Sequence, residues 1–220
     1  DWPVLRVTEL GPHMDLHTFA AAEGSPEPPL LARLRLATWQ RTRHGRLMTD
    51  PHTGRVLSLV SHMVRPHTAI ELGTFSGYGT LCLLEGLAPG GTLHTVERND
   101  ELFGLHDAHW SEHPRGGDIQ RHHGQAMDVL AGWPASTPID LAYVDADKES
   151  VVVQFEALLP LMAPRGWMLF DNTWWNGTLE TAQGPKPDGL RALNDRLKND
   201  SALQVVILPV GDGLTIARKR

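Results

Sequence analysis

Hydrophobic positions near the start of the chain repeat at helical spacing. Residues 29–44 predict a helix whose opposite face is rich in arginine. The predicted apolar face carries Leu30, Leu31, Leu34 and Trp39. Residues 53–64 predict a second amphipathic helix, with Asp50 suited to its cap and Pro51 to its first turn. Residues 1–28 show no clear period and are interpreted as an extended or capping arm.

After Pro66, short apolar runs alternate with amphipathic segments. This alternation predicts an α/β fold with a mostly parallel seven-stranded sheet and helices on both of its faces. The last two strands surround Gly211-Asp212-Gly213, a link too short for a crossover helix, and should form an antiparallel hairpin. The predicted strands are 68–72, 92–96, 119–123, 139–144, 167–170, 203–209 and 214–218, and the predicted helices among them are 78–87, 99–113, 126–131, 151–162 and 190–198.

Length and composition predict one domain over residues 1–220, with residues 1–47 as an N-terminal helical arm. A chain of 220 residues can bury one core, and no internal repeat or low-complexity linker divides it. Apolar residues make up 41% and charged residues 21%, as in globular proteins. Because no apolar run reaches the ~20 residues that cross a bilayer, we expect no membrane partner.

Charge and cysteine content indicate the cellular location and the kind of partner to expect. Cys82 is the single cysteine, which excludes an internal disulfide framework and favours a reducing, cytoplasmic location. It lies in an apolar stretch and is interpreted as a core residue rather than a nucleophile. The net charge is −6 and the basic residues do not cluster, so we expect no nucleic-acid partner. The twelve histidines are scattered, and none has zinc-site spacing.

A glycine-rich turn follows the first predicted strand, with glycines at 73, 77 and 79. Glycine lets the backbone turn sharply and lets a ligand approach it, and the next helix begins with free N–H groups. A tight strand-to-helix turn needs glycine anyway, so this loop alone is weak evidence for a ligand. Its GxxxGxG order differs from the GxGxxG order of dinucleotide loops and argues against a pyrophosphate.

Glu97 ends the second predicted strand. An acid ~20 residues past such a loop accepts hydrogen bonds from the ribose hydroxyls of a nucleoside. The alternative is a surface acid that pairs with Arg98. Taken together, the loop and Glu97 predict an adenosine-type ligand.

Three oxygen-bearing side chains follow the fourth and fifth predicted strands. Asp145 ends the fourth strand, and Asp171 and Asn172 end the fifth. Because parallel neighbours bring their carboxyl ends to one edge of a sheet, these side chains can converge on a hard ion such as Mg²⁺, Mn²⁺ or Ca²⁺, rather than on zinc. Aspartates at strand ends also commonly cap the next helix, and this alternative stays open for Asp145.

The motifs ELGTFSGYGT, VDADK and DNTWWNG, with Glu97 after the first, resemble the cation-dependent O-methyltransferases, a group that includes catechol and caffeoyl-CoA O-methyltransferases. The closing sequence LPVGDGLTIARK also looks like the hairpin of that family. The resemblance spans about residues 48–220. It implies a Rossmann-like fold, S-adenosylmethionine as methyl donor, and a divalent metal, with Mg²⁺ ahead of Mn²⁺ and Ca²⁺. Bacterial relatives also imply a homodimer.

The resemblance further implies which residues contact the cofactor. The loop of residues 73–79 would wrap its methionine part, Glu97 would hold its ribose, and residues 124–126 would flank its adenine. Met48 would lie near the sulfonium, and Asp147 would touch the amino group or cap the next helix. The implied set is Met48, Glu71, Gly73, Thr74, Phe75, Ser76, Gly77, Tyr78, Glu97, Arg98, Gly124, Gln125, Ala126, Asp145 and Asp147.

The implied chemistry is methyl transfer to a small ortho-dihydroxy aromatic acceptor. A phenol has a pKa of about 10, and a bound dication would acidify and orient its hydroxyl. By resemblance, Lys148 is the general base beside Asp145, and Trp175 lines the acceptor pocket with Asn172 and Lys148. Core packing is the rival interpretation of Trp174, and Asn194 is interpreted as structural.

Three departures from the family pattern concern the acceptor. The segment of residues 178–188 is shorter than in plant caffeoyl-CoA enzymes and holds only Lys186 as a cation. This difference favours a free catechol over a CoA ester as the acceptor. Position 55 is arginine where relatives usually have glutamine. Thr215 stands where catechol O-methyltransferase has an acid, with Asp212 nearby.

Alternative functions follow from the same residues. The acceptor alternatives are a caffeoyl-CoA-type ester and a natural-product intermediate. A nicotinamide-dependent oxidoreductase is disfavoured by the glycine spacing, and methylation of tRNA or protein is disfavoured by the net charge. A non-catalytic adenosine-binding homologue is disfavoured because such a protein need not keep Asp145, Lys148, Asp171 and Asn172.

Overall fold

The computed structural model describes residue 19 and residues 23–220. Most of the predicted arm over residues 1–28 therefore lies outside the described residues. The helices are α1 Pro29–Arg41, α2 Pro51–Val64, α3 Tyr78–Leu84, α4 Phe103–Trp110, α5 Ala126–Ala131, α6 Val151–Leu158 and α7 Pro185–Lys198. The strands are β1 Thr68–Leu72, β2 Thr92–Glu97, β3 Ile119–His123, β4 Ile139–Val144, β5 Met162–Phe170, β6 Leu203–Leu208 and β7 Leu214–Lys219.

The seven strands form one sheet in the order β3-β2-β1-β4-β5-β7-β6. Strands β1 to β5 run parallel, whereas β7 lies antiparallel between β5 and β6. The predicted mostly parallel sheet with a C-terminal hairpin is confirmed. The strand order reverses between β1 and β4, and such a reversal opens a crevice at the carboxyl ends of these strands.

Successive residues of the inner strands alternate between two cores. Leu141 and Tyr143 of β4 pack on one face with residues of α1 to α4. Ala142 and Val144 pack on the other face with residues of α5 to α7. Because helices cover both faces, the inner strands carry apolar residues on both faces.

The cap predicted for the second helix is confirmed. Asp50 Oδ1 accepts hydrogen bonds from the backbone N–H groups of His52 at 2.9 Å and Thr53 at 3.1 Å. Pro51 occupies the first turn, where its missing N–H would have no partner. The helix thus begins two residues before the apolar period does.

The predicted apolar face of α1 is wrong at Trp39. Leu31 and Leu34 are buried, but Trp39 is 57% exposed. Five helical residues separate Trp39 from Leu34, which turns it about 140° around the axis. Its ring instead covers Gly45, where a Cβ would lie 2.7 Å from the ring.

Several boundaries differ from their predictions. Strand β5 begins at Met162 because a register shift opposite Ile139 and Leu141 admits extra residues, including Arg165 at φ 63°. Helix α7 begins at Pro185 rather than residue 190, since proline is tolerated in a first turn. The helices predicted over 29–44, 78–87, 99–113 and 151–162 end earlier, at Arg41, Leu84, Trp110 and Leu158.

Across the part of the chain that the structure describes, none of the helices combines the length and the apolar character of a membrane span.

Candidate active site

The carboxyl ends of β1, β2, β4 and β5 open into a pocket of ≈ 640 Å³. It lies at the reversal of strand order, where open α/β sheets bind ligands. Its walls include the predicted cofactor residues Met48, Gly73, Phe75, Glu97, Arg98, Gly124, Gln125, Ala126, Asp145 and Asp147, and the predicted metal and acceptor residues Lys148, Asp171, Asn172 and Trp175. The fold therefore brings most of the predicted site residues into one pocket.

The turn after β1 has a left-handed backbone at three alternate positions. The φ angles are 95° at Gly73, 46° at Phe75 and 83° at Gly77. Glycine adopts this conformation without steric cost, whereas phenylalanine does not. At Gly73 space is also limiting, because a Cβ would lie 2.6 Å from the carbonyl oxygen of Asp145. This glycine lets the ends of β1 and β4 approach each other.

Glu97 is held at the end of β2 by two backbone amides. Its Oε2 accepts the N–H of Phe75 and its Oε1 accepts the N–H of Asn99, both at 2.8 Å. Among the salt bridges of the described residues, none joins Glu97 to Arg98. The carboxylate thus faces the pocket in a fixed orientation.

Five predicted cofactor residues, in or next to the loop, do not line the pocket. Gly77 backs onto Trp110, whose Nε1 would lie 2.6 Å from an added Cβ. The other four have buried side chains, and they are Glu71, Thr74, Ser76 and Tyr78. These residues shape the loop from the protein side, and their direct contact with a cofactor stays a prediction.

Glu71 is 1% exposed and links β1 to its neighbours. Its Oε2 accepts hydrogen bonds from the hydroxyls of Thr80 at 2.5 Å and Thr95 at 2.6 Å. Burial raises the pKa of Glu71 to about 8, and the nearby charges of Asp145 and Glu97 act in the same direction. The carboxyl group is therefore mostly protonated at neutral pH.

Tyr78 connects the start of α3 to residues that precede α1. Its hydroxyl donates to Glu27 Oε1 at 2.8 Å, and the same oxygen accepts from Arg35 Nε at 3.0 Å. The Tyr78 ring fills the space beside Gly54, where a Cβ would lie 2.7 Å from it. Tyr78 thus joins three helices behind the pocket.

Asp145 and Lys148 form an ion pair in the pocket wall. Lys148 Nζ donates to Asp145 Oδ1 at 2.7 Å, and the side chains are 10% and 16% exposed, respectively. Burial raises the pKa of Asp145 to about 6; Lys148 opposes the rise and Asp171 adds to it. The pair places a nitrogen base and a carboxylate side by side.

Asp171 is held by groups from two other strands or loops. The hydroxyl of Tyr143 donates to Asp171 Oδ2 at 2.6 Å, and the hydroxyl of Thr49 lies 3.3 Å from that of Tyr143. The backbone N–H of Asn172 donates to Asp171 Oδ1 at 2.7 Å, and Asn172 is left-handed at φ 62°. Sequence reasoning missed Tyr143 and Thr49, because their contacts join segments that lie far apart in the chain.

Asp147 caps the segment that leads into α6. Its Oδ2 accepts hydrogen bonds from the N–H of Ser150 at 3.2 Å and from the hydroxyl of Ser150 at 3.0 Å. Asp147 also lines the pocket. The N-cap residue of α6 is Ser150, so Asp147 holds the turn before the helix rather than its first N–H groups. A contact of Asp147 with a cofactor amino group stays a prediction.

The loop after Asn172 is strained. Trp175 and Asn176 both have φ 53°, a conformation that non-glycine residues rarely adopt. Asp212 holds this loop, since its carboxylate accepts the N–H of Asn176 and its carbonyl oxygen accepts the N–H of Trp174 at 3.0 Å. The core-packing interpretation of Trp174 is wrong, because this side chain is 58% exposed.

Two of the residues that mark the family departures, Arg55 and Thr215, lie outside the pocket wall, whereas Asp212 and Lys186 line the pocket. Arg55 Nη1 pairs with Glu85 Oε2 at 2.9 Å and does not line the pocket. Thr215 is buried, and its hydroxyl donates to that of Thr173 at 2.8 Å. Asn194 Nδ2 donates to the Thr173 carbonyl at 3.0 Å, which agrees with a structural role. Asp212 thus presents an acid to the pocket where Thr215 does not.

Three exposed cations, Arg46, Arg98 and Lys186, also line the pocket. Arg46 comes from the turn before α2, Arg98 follows β2, and Lys186 lies in the first turn of α7. Sequence reasoning named Lys186 only as the single cation of its segment and did not identify Arg46. The pocket therefore combines an acidic floor with cationic side chains.

Comparison with known proteins places this geometry in a family. A family model described as O-methyltransferase matches residues 20–220. Caffeoyl-CoA O-methyltransferase of Stellaria longipes is 31% identical over 182 residues, which cover 78% of this chain and 76% of that protein. Catechol O-methyltransferase domain-containing protein 1 of Mus musculus is 30% identical over 229 aligned residues, which cover 99% and 86%.

Solved structures share the fold at lower sequence identity. The O-methyltransferase TomG of Streptomyces achromogenes, involved in tomaymycin synthesis and solved with SAM, has a TM-score of 0.83 and 23% identity, with 92% of this chain and 95% of that chain covered. An O-methyltransferase of Bacillus cereus solved with SAH has a TM-score of 0.78 and 23% identity, with 93% and 96% covered. These likenesses confirm the Rossmann-like fold. The family model matches nearly the whole described chain, and a relative at 30% identity covers 99% of it. The chain therefore belongs to the O-methyltransferase family.

Proposed function

We propose that the protein transfers the methyl group of S-adenosylmethionine to one hydroxyl of a small ortho-dihydroxy aromatic acceptor, with a divalent metal held by Asp145, Asp171 and Asn172. The observation that carries this proposal is the pocket at the carboxyl ends of the parallel strands. It joins the glycine loop and Glu97 to the Asp145–Lys148 pair and to Trp175. A methyl donor and an acceptor can therefore meet within one cavity.

The donor end of the pocket has the features that an adenosine ligand needs. Each oxygen of Glu97 accepts one backbone N–H and keeps lone-pair capacity for a ribose hydroxyl. At Gly124, with φ 150°, no atom lies within 4 Å of a Cβ position. This open space beside the backbone suits a flat base such as adenine.

The donor atoms at the other end suit a hard dication. Two carboxylates and an amide oxygen are ligands for Mg²⁺ rather than for zinc. Among the described residues, no three His, Cys, Asp or Glu side chains form a metal cluster. The third ligand of the proposed site is the amide oxygen of Asn172. The charge of Asp171 adds to the raised pKa of Asp145, and Lys148 opposes the rise. When bound, a dication would stabilise the ionised form of an acceptor hydroxyl.

The side chains of this pocket can carry the proton and the charge. After the ammonium group of the ion pair has released a proton to solvent, the neutral Lys148 Nζ takes the proton from the acceptor hydroxyl. Asp145 Oδ1, which lies 2.7 Å from Nζ, stabilises the ammonium group that results. The hydroxyl oxygen forms a bond to the methyl carbon as the carbon–sulfur bond breaks. The electron pair of that bond stays on sulfur and leaves S-adenosylhomocysteine. The Trp175 indole offers a flat apolar surface to the aromatic ring.

A second acceptor class is supported by the cations of the pocket. Arg46, Arg98 and Lys186 are exposed and line it, and cationic side chains bind phosphate and carboxylate groups. A CoA ester of an ortho-dihydroxy acid carries such groups. Caffeoyl-CoA O-methyltransferase is also a relative at 31% identity. Acceptors of both classes therefore belong in one assay.

The test uses labelled S-adenosylmethionine with catechol, caffeate, caffeoyl-CoA and guaiacol, which has only one free hydroxyl. We expect methylation of the ortho-diphenols, its loss with EDTA and its recovery with Mg²⁺. The double variant Asp171→Ala/Asn172→Ala should lose about 100-fold or more in kcat. It should still bind S-adenosylhomocysteine. Asp128→Ala, which removes an exposed acid of α5 outside the pocket wall, is the control. Normal turnover in the double variant would rule out the metal site.

A further inference from the structure

One residue of the glycine loop adopts a glycine-like backbone without being glycine. Phe75 lies between Gly73 and Gly77, and all three have positive φ angles. The conformation strains an L-residue that has a Cβ. Such strain persists only where the surroundings hold the residue in place. The contacts of Phe75 therefore determine the shape of the loop.

Both backbone polar groups of Phe75 have side-chain partners. Its N–H donates to Glu97 Oε2 at 2.8 Å, and its carbonyl oxygen lies 2.7 Å from His106 Nε2. Because a carbonyl oxygen only accepts, the proton of this bond belongs to His106 Nε2. The Phe75 carbonyl group is thus bound by His106, and the Phe75 N–H group binds Glu97.

His106 lies buried in α4, and among the described residues the bond to Phe75 is the one hydrogen bond of its ring. It is 0% exposed, and its Nδ1 has no hydrogen-bond partner among the described residues. Its ring stacks on Trp110 with centroids 4.5 Å apart and an interplanar angle of 11°. An unpaired buried nitrogen is unfavourable for folding, and an apolar side chain would avoid it. The bond to Phe75 is the contact that an apolar residue would not supply.

We propose that His106 is a positioning residue for the methyl donor: by holding the Phe75 carbonyl, it fixes the loop and, through the Phe75 N–H, the carboxylate of Glu97. This inference rests on the proposed use of the pocket for S-adenosylmethionine. His106 itself does not line the pocket. Its loss should therefore weaken donor binding and leave the chemical step nearly unchanged.

Two amide substitutions test the geometry of the bond. Glutamine places its amide nitrogen near the position of imidazole Nε2, whereas asparagine places it near Nδ1 and cannot reach Phe75. We expect His106→Asn to weaken binding of S-adenosylhomocysteine about 5- to 30-fold, the effect of losing one such hydrogen bond, and His106→Gln to stay within about threefold of the parent protein. Isothermal titration calorimetry on the full chain measures both. At saturating donor, kcat should change less than about twofold, while KM for the donor follows the binding loss.

A histidine on the same helix provides the control. His109 Nδ1 lies 2.9 Å from the Leu105 carbonyl within α4 and is not part of the pocket wall. His109→Asn should leave donor affinity unchanged. Thermal unfolding of each variant separates loss of the loop contact from loss of the fold. If His106→Asn does not fold, His106→Phe, which keeps a ring to stack on Trp110 and lacks the donor, takes its place against His106→Gln.

The outcomes distinguish this inference from the proposed function. Equal affinity losses in His106→Gln and His106→Asn, or no loss in the asparagine or phenylalanine variant, would overturn the role of His106 while the parent protein still binds S-adenosylhomocysteine. Failure of the parent protein to bind it would remove the proposed function and this inference together. A loss of affinity in His106→Asn that is absent in His106→Gln supports both the proposed function and the role of His106.

Discussion

A single buried carboxyl group connects the strands beneath the cofactor loop. Glu71 lies near the end of β1 and accepts hydrogen bonds from the hydroxyls of Thr80 of α3 and Thr95 of β2. It is buried at 1% exposure, and its pKa rises from an ordinary value of 4.5 to about 8. In the unfolded chain the same group would ionise in its ordinary range. Folding therefore takes up a proton at this residue over a wide range of pH.

We predict that Glu71→Gln changes how stability depends on pH. Between pH 5 and 8 the folded protein keeps the Glu71 proton and the unfolded chain does not, so this residue lowers the free energy of unfolding as pH rises, by up to about 1.4 kcal/mol per pH unit. Glutamine does not titrate. The variant should therefore gain stability relative to the parent protein from pH 5 to pH 8, as measured by urea unfolding. Glu180→Gln, at an exposed site, should show no such trend, and a pH-independent difference for Glu71→Gln would contradict a protonated buried carboxyl.

At the scale of elements, helix α4 supports the cofactor loop with two rings. His106 contacts Phe75, and Trp110 one turn later fills the space behind Gly77. The spacing of four residues places both rings on one side of the helix, where they stack. The loop is thus held from β2, through Glu97, and from α4.

The contact behind Gly77 predicts the effect of adding one methyl group. Gly77→Ala would place a Cβ 2.6 Å from Trp110 Nε1 at a residue with φ 83°. We expect a loss of about 2–4 kcal/mol in the free energy of unfolding, because backbone strain and steric overlap both act. Gly90→Ala is the matched control, since φ is 73° there and no atom lies within 4 Å of the added Cβ. It should cost about 1 kcal/mol, the strain alone. Equal losses in chemical denaturation would show that the Trp110 contact is unimportant.

The elements and the site were predictable from sequence to different extents. Inner strands such as β4 are apolar on both faces, and their runs were visible without a structure. Strand-end residues such as Asp145 and Asp171 were predicted together because parallel strands meet at one edge. The start of β5 was missed because a register shift hides within a sequence that resembles a turn. Tyr143 and His106 were missed because their contacts join segments far apart in the chain, which no local pattern encodes.

At the scale of the whole molecule, histidines with lowered pKa values reduce the stability of the fold at acidic pH. His94 and His122 lie on β2 and β3 with ring nitrogens 2.9 Å apart, and the edge of Trp133 packs on His94. Burial and the neighbouring His122 lower the pKa of His94 to about 4. Burial also lowers the pKa of His106 to about 4. His94 and His106 come from different elements, and burial lowers the pKa of both into the same range.

We predict that the protein loses stability as pH falls from 6.5 to 4. Over this range the unfolded chain binds protons on these histidines and the folded protein resists them, so their contribution is present above pH 6.5 and is lost as pH approaches 4. His94→Gln removes one such group and should make the decline shallower. Urea unfolding at half-unit pH intervals measures the slope, with His44→Gln at an exposed site as control. An unchanged slope in His94→Gln would show that the pair does not contribute.

The position of β7 has a consequence for biosynthesis. Residues Leu214–Lys219 fill an interior place in the sheet, between β5 and β6, although they follow both strands in the chain. While a ribosome is still translating the segment before residue 214, the outer edge of β5 has no strand to pair with, and β6 cannot join the sheet. An open strand edge invites pairing with other chains. A nascent chain that lacks β7 would thus be a target for chaperones and prone to aggregation until Leu214–Lys219 completes the sheet.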